Sequence, residues 1–250
     1  MSGGGFERLW DRPPFAVDFL AGGGGDLVIA FASVGHDPSR PPAPEFVATA
    51  SGRGTTAHPR RALFVLDAGR GWASDPGFAP ALLGAVERVR ARAPITRIAC
   101  IGLSMGGFAA LAAMQVLPVD VALAFGPQHR VLGRMPDRWS RWTDRIGTTP
   151  FPVAPLPRPP QPGPGQGWAV VCHGLEDDAE EAKGFAVQPG TDHLLFKGQS
   201  HSGLVPHLKA RGVLAGLMAA ALAGDRRRLL RIAGSAGGLR RRDPGGGALG

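Results

Sequence analysis

Residues 97–116, RIACIGLSMGGFAALAAMQV, carry a short apolar run into an alanine-rich one through Gly102-Leu103-Ser104-Met105-Gly106-Gly107. RIACIG (97–102) lacks the polar alternation of a half-exposed strand and reads as a buried one. The segment from Ser104 onward is apolar at helical spacing. The junction matches G-x-S-x-G, in which a serine occupies a strained strand-to-helix turn and small neighbours let the backbone bend that tightly. With 38 Gly and 10 Ser in the chain, roughly 0.2 such matches arise by chance, so the pattern alone is weak. Its placement between strand and helix gives it weight; the bland alternative is a glycine-tight packing turn. The turn sets Oγ of Ser104 at a helix N-terminus, where peptide dipoles favour developing negative charge. The N–H of Met105 can then serve an oxyanion hole.

Outward from this junction, FAVDFL (15–20) and LVIAFAS (27–33) read as strands separated by the Gly22–Gly25 run, which predicts a loosely turned hairpin. RALFVLD (61–67), VDVALAFG (119–126), WAVVCHG (168–174) and HLLFKG (193–198) are further strands. Leu82, Val86 and Val89 mark an amphipathic helix ended by Pro94. A closing helix is predicted over about 203–222, apolar through Leu204, Leu208, Leu214 and Leu217 and stopped at Gly224. The alternation predicts an α/β fold, a mostly parallel, doubly wound sheet with helices on both faces. Residues 127–167 interrupt it, five arginines with Trp139 and Trp142 leading into a proline-rich run, read as a lid-like excursion. Residues 1–224 are thus read as one domain, and 225–250 as a basic, partly disordered tail adding little to the core.

The charge of +8 invites a nucleic-acid reading, but seven arginines against Asp225 and Asp243 place +5 of it in that tail. No aromatic interleaving or recognised module accompanies it, which argues against nucleic-acid binding. No stretch of about 18 uncharged apolar residues occurs, and MSGGGFERLW lacks the order of a signal peptide. The expectation is a soluble, cytoplasmic protein without a membrane span. Cys100 and Cys172 sit in apparent buried strands as small core residues rather than as a disulfide.

A serine hydroxyl attacks well only when a histidine takes its proton and a carboxylate holds that imidazole's tautomer. Of seven histidines, His201 follows the last strand and precedes the last helix, on the sheet edge that carries Ser104. His207 falls on the following helix, His193 opens a strand, and His58 and His129 lie in polar connections. His173 ends a strand, where it can position the acid loop, and His36 is read as an ordinary loop residue. For the acid, VVCHGLEDD places Glu176, Asp177 and Asp178 after a strand; Asp177 fits H-G-x-x-D and Asp178 is a close rival. The plainer reading of this acidic cluster is a helix N-terminus complementing its dipole. The order Ser104, Asp177, His201 is the one a triad on such a sheet follows. The second oxyanion donor is sought in SVGHDP, at the N–H of Ser33 or Val34, with Val34 preferred.

These residues resemble the α/β-hydrolase superfamily over about 15–222. More narrowly, SMGGFAAL (104–111), LAFGPQ (123–128), the following DRW (137–139) and LDAGRGW (66–72) are similar to a group of bacterial α/β-hydrolase-like proteins linked with surface-polysaccharide or glycan biosynthesis. The resemblance implies a nucleophile at Ser104 and a base at His201. The leading expectation is a serine hydrolase of acyl esters, acting on a small-molecule or glycan ester with no cofactor and no metal. The alternatives are a glycan acyltransferase using the same triad, and a non-catalytic binding protein on the same fold.

Overall fold

The computed structural model describes residues 5–35, 37, 39–54, 56–131, 145 and 167–242. Its strands are β1 (Glu7–Arg12), β2 (Phe15–Leu20), β3 (Gly23–Phe31), β4 (Arg60–Asp67), β5 (Arg97–Leu103), β6 (Val121–Phe125), β7 (Trp168–Gly174), β8 (Thr191–Phe196) and β9 (Gly238–Arg240). The helices are α1 (Val47–Ser51), α2 (Phe78–Arg90), α3 (Met105–Ala113), α4 (Ala179–Gly184), α5 (Leu204–Ala210), α6 (Leu214–Leu222) and α7 (Arg226–Ser235). One sheet runs β1-β2-β4-β3-β5-β6-β7-β8-β9. Strands β3 to β8 are mutually parallel, while β1, β2 and β9 are antiparallel additions at the edges.

The parallel strands are apolar on both faces because both faces are covered. Successive residues of β3 and β5 alternate between two cores: Leu27, Ile29, Ile98 and Cys100 face α2 and α3, whereas Val28, Ala30, Ala99 and Ile101 face α1, α5, α6 and α7. From β3 the sheet grows to β4 on one side and to β5 on the other. Loops leaving the carboxyl ends of β3 and β5 diverge at such a reversal and open a crevice between them.

Three expectations need correcting. β2 and β3 do not form a hairpin, because β4 lies between them, antiparallel to β2 and parallel to β3. The chain instead steps past the start of β4 at Gly22, where a Cβ would come within 2.2 Å of the Arg60 carbonyl carbon. The closing helix is two helices, broken at Gly212 with φ +67°. The tail is structured as far as Arg242: Asp225 caps α7 by accepting from the Arg228 amide at 2.9 Å, Leu229 and Ala233 are fully buried, and β9 pairs with β8. Its arginines have a counter-ion inside the fold, since buried Asp192 accepts from Arg226 at 2.6 and 2.7 Å and from Arg240 at 2.8 Å. Of the proposed lid, residues 132–144 and 146–166 lie outside the described residues, as do His36 and 243–250. No described helix is long and apolar enough to cross a membrane.

Candidate active site

Ser104 sits between β5 and α3 with φ 56° and ψ −121°, a conformation that a non-glycine residue holds only when its surroundings force it. Here they do. A Cβ on Gly102 would lie 2.1 Å from the Gly106 carbonyl oxygen, and one on Gly106 would lie 2.3 Å from that of Phe31, so strand and helix meet without room for side chains. The Ser104 amide donates to the Phe125 carbonyl at 2.8 Å and its own carbonyl accepts from Phe108 at 2.9 Å, which fixes the turn between β6 and the helix.

His201 follows β8, and its Nδ1 lies 2.8 Å from Oδ2 of Asp178. Both side chains are enclosed, with His201 5% and Asp178 1% exposed. The carboxylate on the imidazole is therefore that of Asp178, not of Asp177 as the H-G-x-x-D spacing favoured. Asp178 is the residue before α4 and turns into the interior, whereas Asp177 stays exposed and accepts from the backbone N–H of His201 at 2.5 Å. Neighbouring carboxylates thus hold the same histidine at two points. Gly126, φ +52°, closes over the pair: a Cβ there would lie 2.9 Å from Nδ1 of His201 and 3.2 Å from Oδ2 of Asp178.

Ser104 and His201 line one cleft of about 370 Å³ together with Val34, Leu103, Val205 and Pro206. Of the two amides weighed as a second oxyanion donor, that of Ser33 is engaged by Glu45, whose Oε1 accepts from the Ser33 N–H at 3.0 Å and the hydroxyl at 2.6 Å. Val34 remains on the cleft wall, and its carbonyl accepts from Nε of Arg70 at 2.8 Å. Met105 opens α3 beside Ser104.

The sequence matches no protein-family model and no curated protein. Solved structures do resemble it. An α/β serine hydrolase without lid from Xanthomonas campestris is 17% identical, with a TM-score of 0.51 over 91% of this chain and 95% of that one. An esterase from Pyrobaculum calidifontis is 13% identical, with a TM-score of 0.57 over 89% and 86%. A glycosylation-associated protein complex from Streptococcus agalactiae is 11% identical, with a TM-score of 0.57, over 89% of this chain but 47% of that one.

The chain has the α/β-hydrolase fold.

Within this α/β-hydrolase fold four of the other described histidines are tied down elsewhere. Nε2 of His173 lies 2.9 Å from the Pro127 carbonyl and Nδ1 lies 2.9 Å from Nε2 of His193. Donation to the carbonyl makes Nδ1 of neutral His173 an acceptor, so His193 donates to it. Burial lowers both pKa values, that of His193 to about 3. His129 meets Glu181 through its backbone N–H at 3.0 Å and Nδ1 at 2.8 Å, Nε2 of His207 meets the Ala236 carbonyl at 2.8 Å, and His58 is exposed. Cys100 and Cys172 are buried free thiols whose pKa values burial raises.

One neighbour of Ser104 and that neighbour's own partner escaped the sequence reading. Gln128, fully buried, points its Nε2 at Oγ of Ser104 from 3.4 Å, and Nε1 of Trp72 donates to Oε1 of Gln128 at 2.8 Å. Both residues fall in stretches quoted for the family resemblance, LAFGPQ and LDAGRGW, which was the available signal.

Proposed function

We propose that this chain is a serine-dependent carboxylic-ester hydrolase in which Ser104 is the nucleophile, His201 the base and Asp178 the acid that orients it. One observation carries the reading: a serine on a strained turn at a helix N-terminus shares a cleft with a histidine whose Nδ1 is held by a buried carboxylate. Asp178 keeps the Nδ1 proton in place, so Nε2 carries the lone pair that accepts the serine proton. Oγ then bonds to the acyl carbon, the C–O bond to the alcohol breaks, and the alcohol leaves with the proton from His201. Water, deprotonated by the same imidazole, attacks the acyl-enzyme and releases the acid and Ser104. The amides of Met105 and Val34 are assigned to the oxyanion. Neighbours described as esterases and serine hydrolases on this fold support the assignment.

The cleft favours small neutral acyl groups, because Val34, Leu103, Val205 and Pro206 supply apolar wall beside the serine. A fluorophosphonate probe should label the purified protein at Ser104, and Ser104→Ala should lose both the label and turnover of a short aryl ester while melting near the parent. Labelling at another residue, or turnover that survives Ser104→Ala, overturns the reading. Product analysis with a sugar present separates release to water from transfer to a hydroxyl.

A further inference from the structure

We infer that Gln128 is a further catalytic donor, whose side-chain amide, aimed by Trp72, hydrogen-bonds Oγ of Ser104 and assists breakdown of the acyl-enzyme more than its formation. The inference rests on the reading of Ser104 as the residue that carries the acyl group.

The orientation of Gln128 follows from its partners. An indole N–H only donates, so the atom of Gln128 that faces Trp72 at 2.8 Å is the carbonyl oxygen, and the amide nitrogen is left facing Oγ at 3.4 Å. Gln128 is fully enclosed, and neither polar end faces water. Pro127 before it is held at its carbonyl by His173, which fixes the backbone from which the side chain leaves.

Trp72 itself sits in a strained loop. Arg70, Trp72 and Ala73 all have φ between 50° and 58°, three non-glycine residues in a left-handed region within four positions. Such conformations cost on the order of 1–3 kcal/mol each, persist only where the surroundings over-determine them, and cluster at active sites and ligand clamps. Buried Asp67 keeps the loop in this state by accepting from the amides of Arg70 at 3.0 Å and Gly71 at 2.8 Å. The same loop sends Arg70 to the carbonyl of Val34 on the cleft wall. A loop that only filled space would not need three strained residues to aim an indole at one amide.

The chemistry says which step gains. In the acyl-enzyme Oγ is an ester oxygen, whose lone pair is drawn toward the carbonyl and which accepts hydrogen bonds poorly. When water adds, Oγ becomes a tetrahedral ether oxygen. As the C–Oγ bond breaks, the electron pair stays on Oγ until His201 returns a proton to it. A donor already aimed at Oγ therefore strengthens along this path, and only interactions stronger in the transition state accelerate a step. In acylation the hydroxyl already enjoys the contact in the ground state, so the gain is smaller.

The test is steady-state and burst kinetics on a short p-nitrophenyl ester with Gln128→Met, Gln128→Glu and Trp72→Phe. Gln128→Glu keeps an acceptor for Trp72 and replaces the donor on Oγ by an oxygen. The expected result for the two Gln128 variants is a kcat lower by about tenfold, with KM lower in the same proportion and kcat/KM within about threefold, since one neutral donor is worth that order. A stoichiometric burst should appear, fluorophosphonate labelling at Ser104 should stay near the parent rate, and Trp72→Phe should give the same signature more weakly. A residue that merely supports the fold would lower kcat/KM and labelling together. That outcome, or unchanged kinetics in variants that melt near the parent, overturns the inference. If Gln128→Met does not fold, the other two variants decide. A parent that neither labels at Ser104 nor turns over the ester brings down the functional reading and this inference with it; a parent that does both, with variants that do not differ from it, removes only the role of Gln128.

Discussion

Replacing Leu229 by alanine probes the segment whose sequence looked least like a folded one. Leu229 is fully buried on α7 and belongs to the core that also holds Phe196, Leu217 and Met218. Deleting buried methyl groups of a leucine costs about 2–5 kcal/mol, transfer and residual cavity together. In a domain of this length each kcal/mol moves Tm by about 2–4 °C, so Leu229→Ala should lower Tm by roughly 5–15 °C. The adjacent Leu230 is only half-buried, and Leu230→Ala should cost about a third of that or less. A chain ended at Gly224 should lose at least as much as Leu229→Ala, because Asp192 then loses both Arg226 and Arg240 as well. Scanning calorimetry of the four proteins checks the set. A Leu229→Ala protein that melts within about 2 °C of the parent, with Leu230→Ala alike, would mean that α7 does not dock, and the packing argument would fail.

The reason for misjudging this segment is physical. Three consecutive arginines and nearby glycines dominate the local hydropathy, yet Leu229 and Ala233 are four apart and share one helix face. The deciding partner, Asp192, lies in β8, and a window along the chain cannot see an ion pair 34 residues away in sequence. The same blindness explains the β2–β3 hairpin, because insertion of β4 between two successive strands leaves no mark in either strand. In contrast, the strained turn at Ser104 was legible because its causes are local: a strand, a glycine-flanked serine and a helix in succession. His201 was legible from its position after the last parallel strand. The choice between Asp177 and Asp178 was not, since one residue of helix-start geometry decides which carboxylate turns inward. Gln128 needs Trp72, which lies 56 positions away, to acquire a direction.

Asp178→Asn should lower kcat on an aryl ester by about 10³–10⁴, because the amide no longer enforces the Nδ1–H tautomer. Asp177→Asn should cost about tenfold or less, since its carboxylate accepts from the His201 backbone amide while Asp178 holds the imidazole; equal losses from the two would remove Asp178 from the role assigned to it. Stability should also fall with acid, and the direction follows from the buried histidine pair. His193 titrates near 6.5 when unfolded and at about 3 when folded, and His173 is lowered in the same sense, both by burial. Between those pH values the unfolded chain takes up protons that the folded one refuses, so stability is full above about pH 6.5 and declines toward pH 3. The slope is at most about 1.4 kcal/mol per pH unit for each histidine. Asp67, raised by burial, works in the opposite direction above its unfolded value near 3.8, where the folded state holds the extra proton, and so blunts the slope at the acid end. His193→Gln keeps a donor for Nδ1 of His173 but cannot titrate, so its Tm should vary less between pH 7 and 4 than the parent's, and parallel pH profiles for the two proteins would show that His193 is not a source of the acid sensitivity.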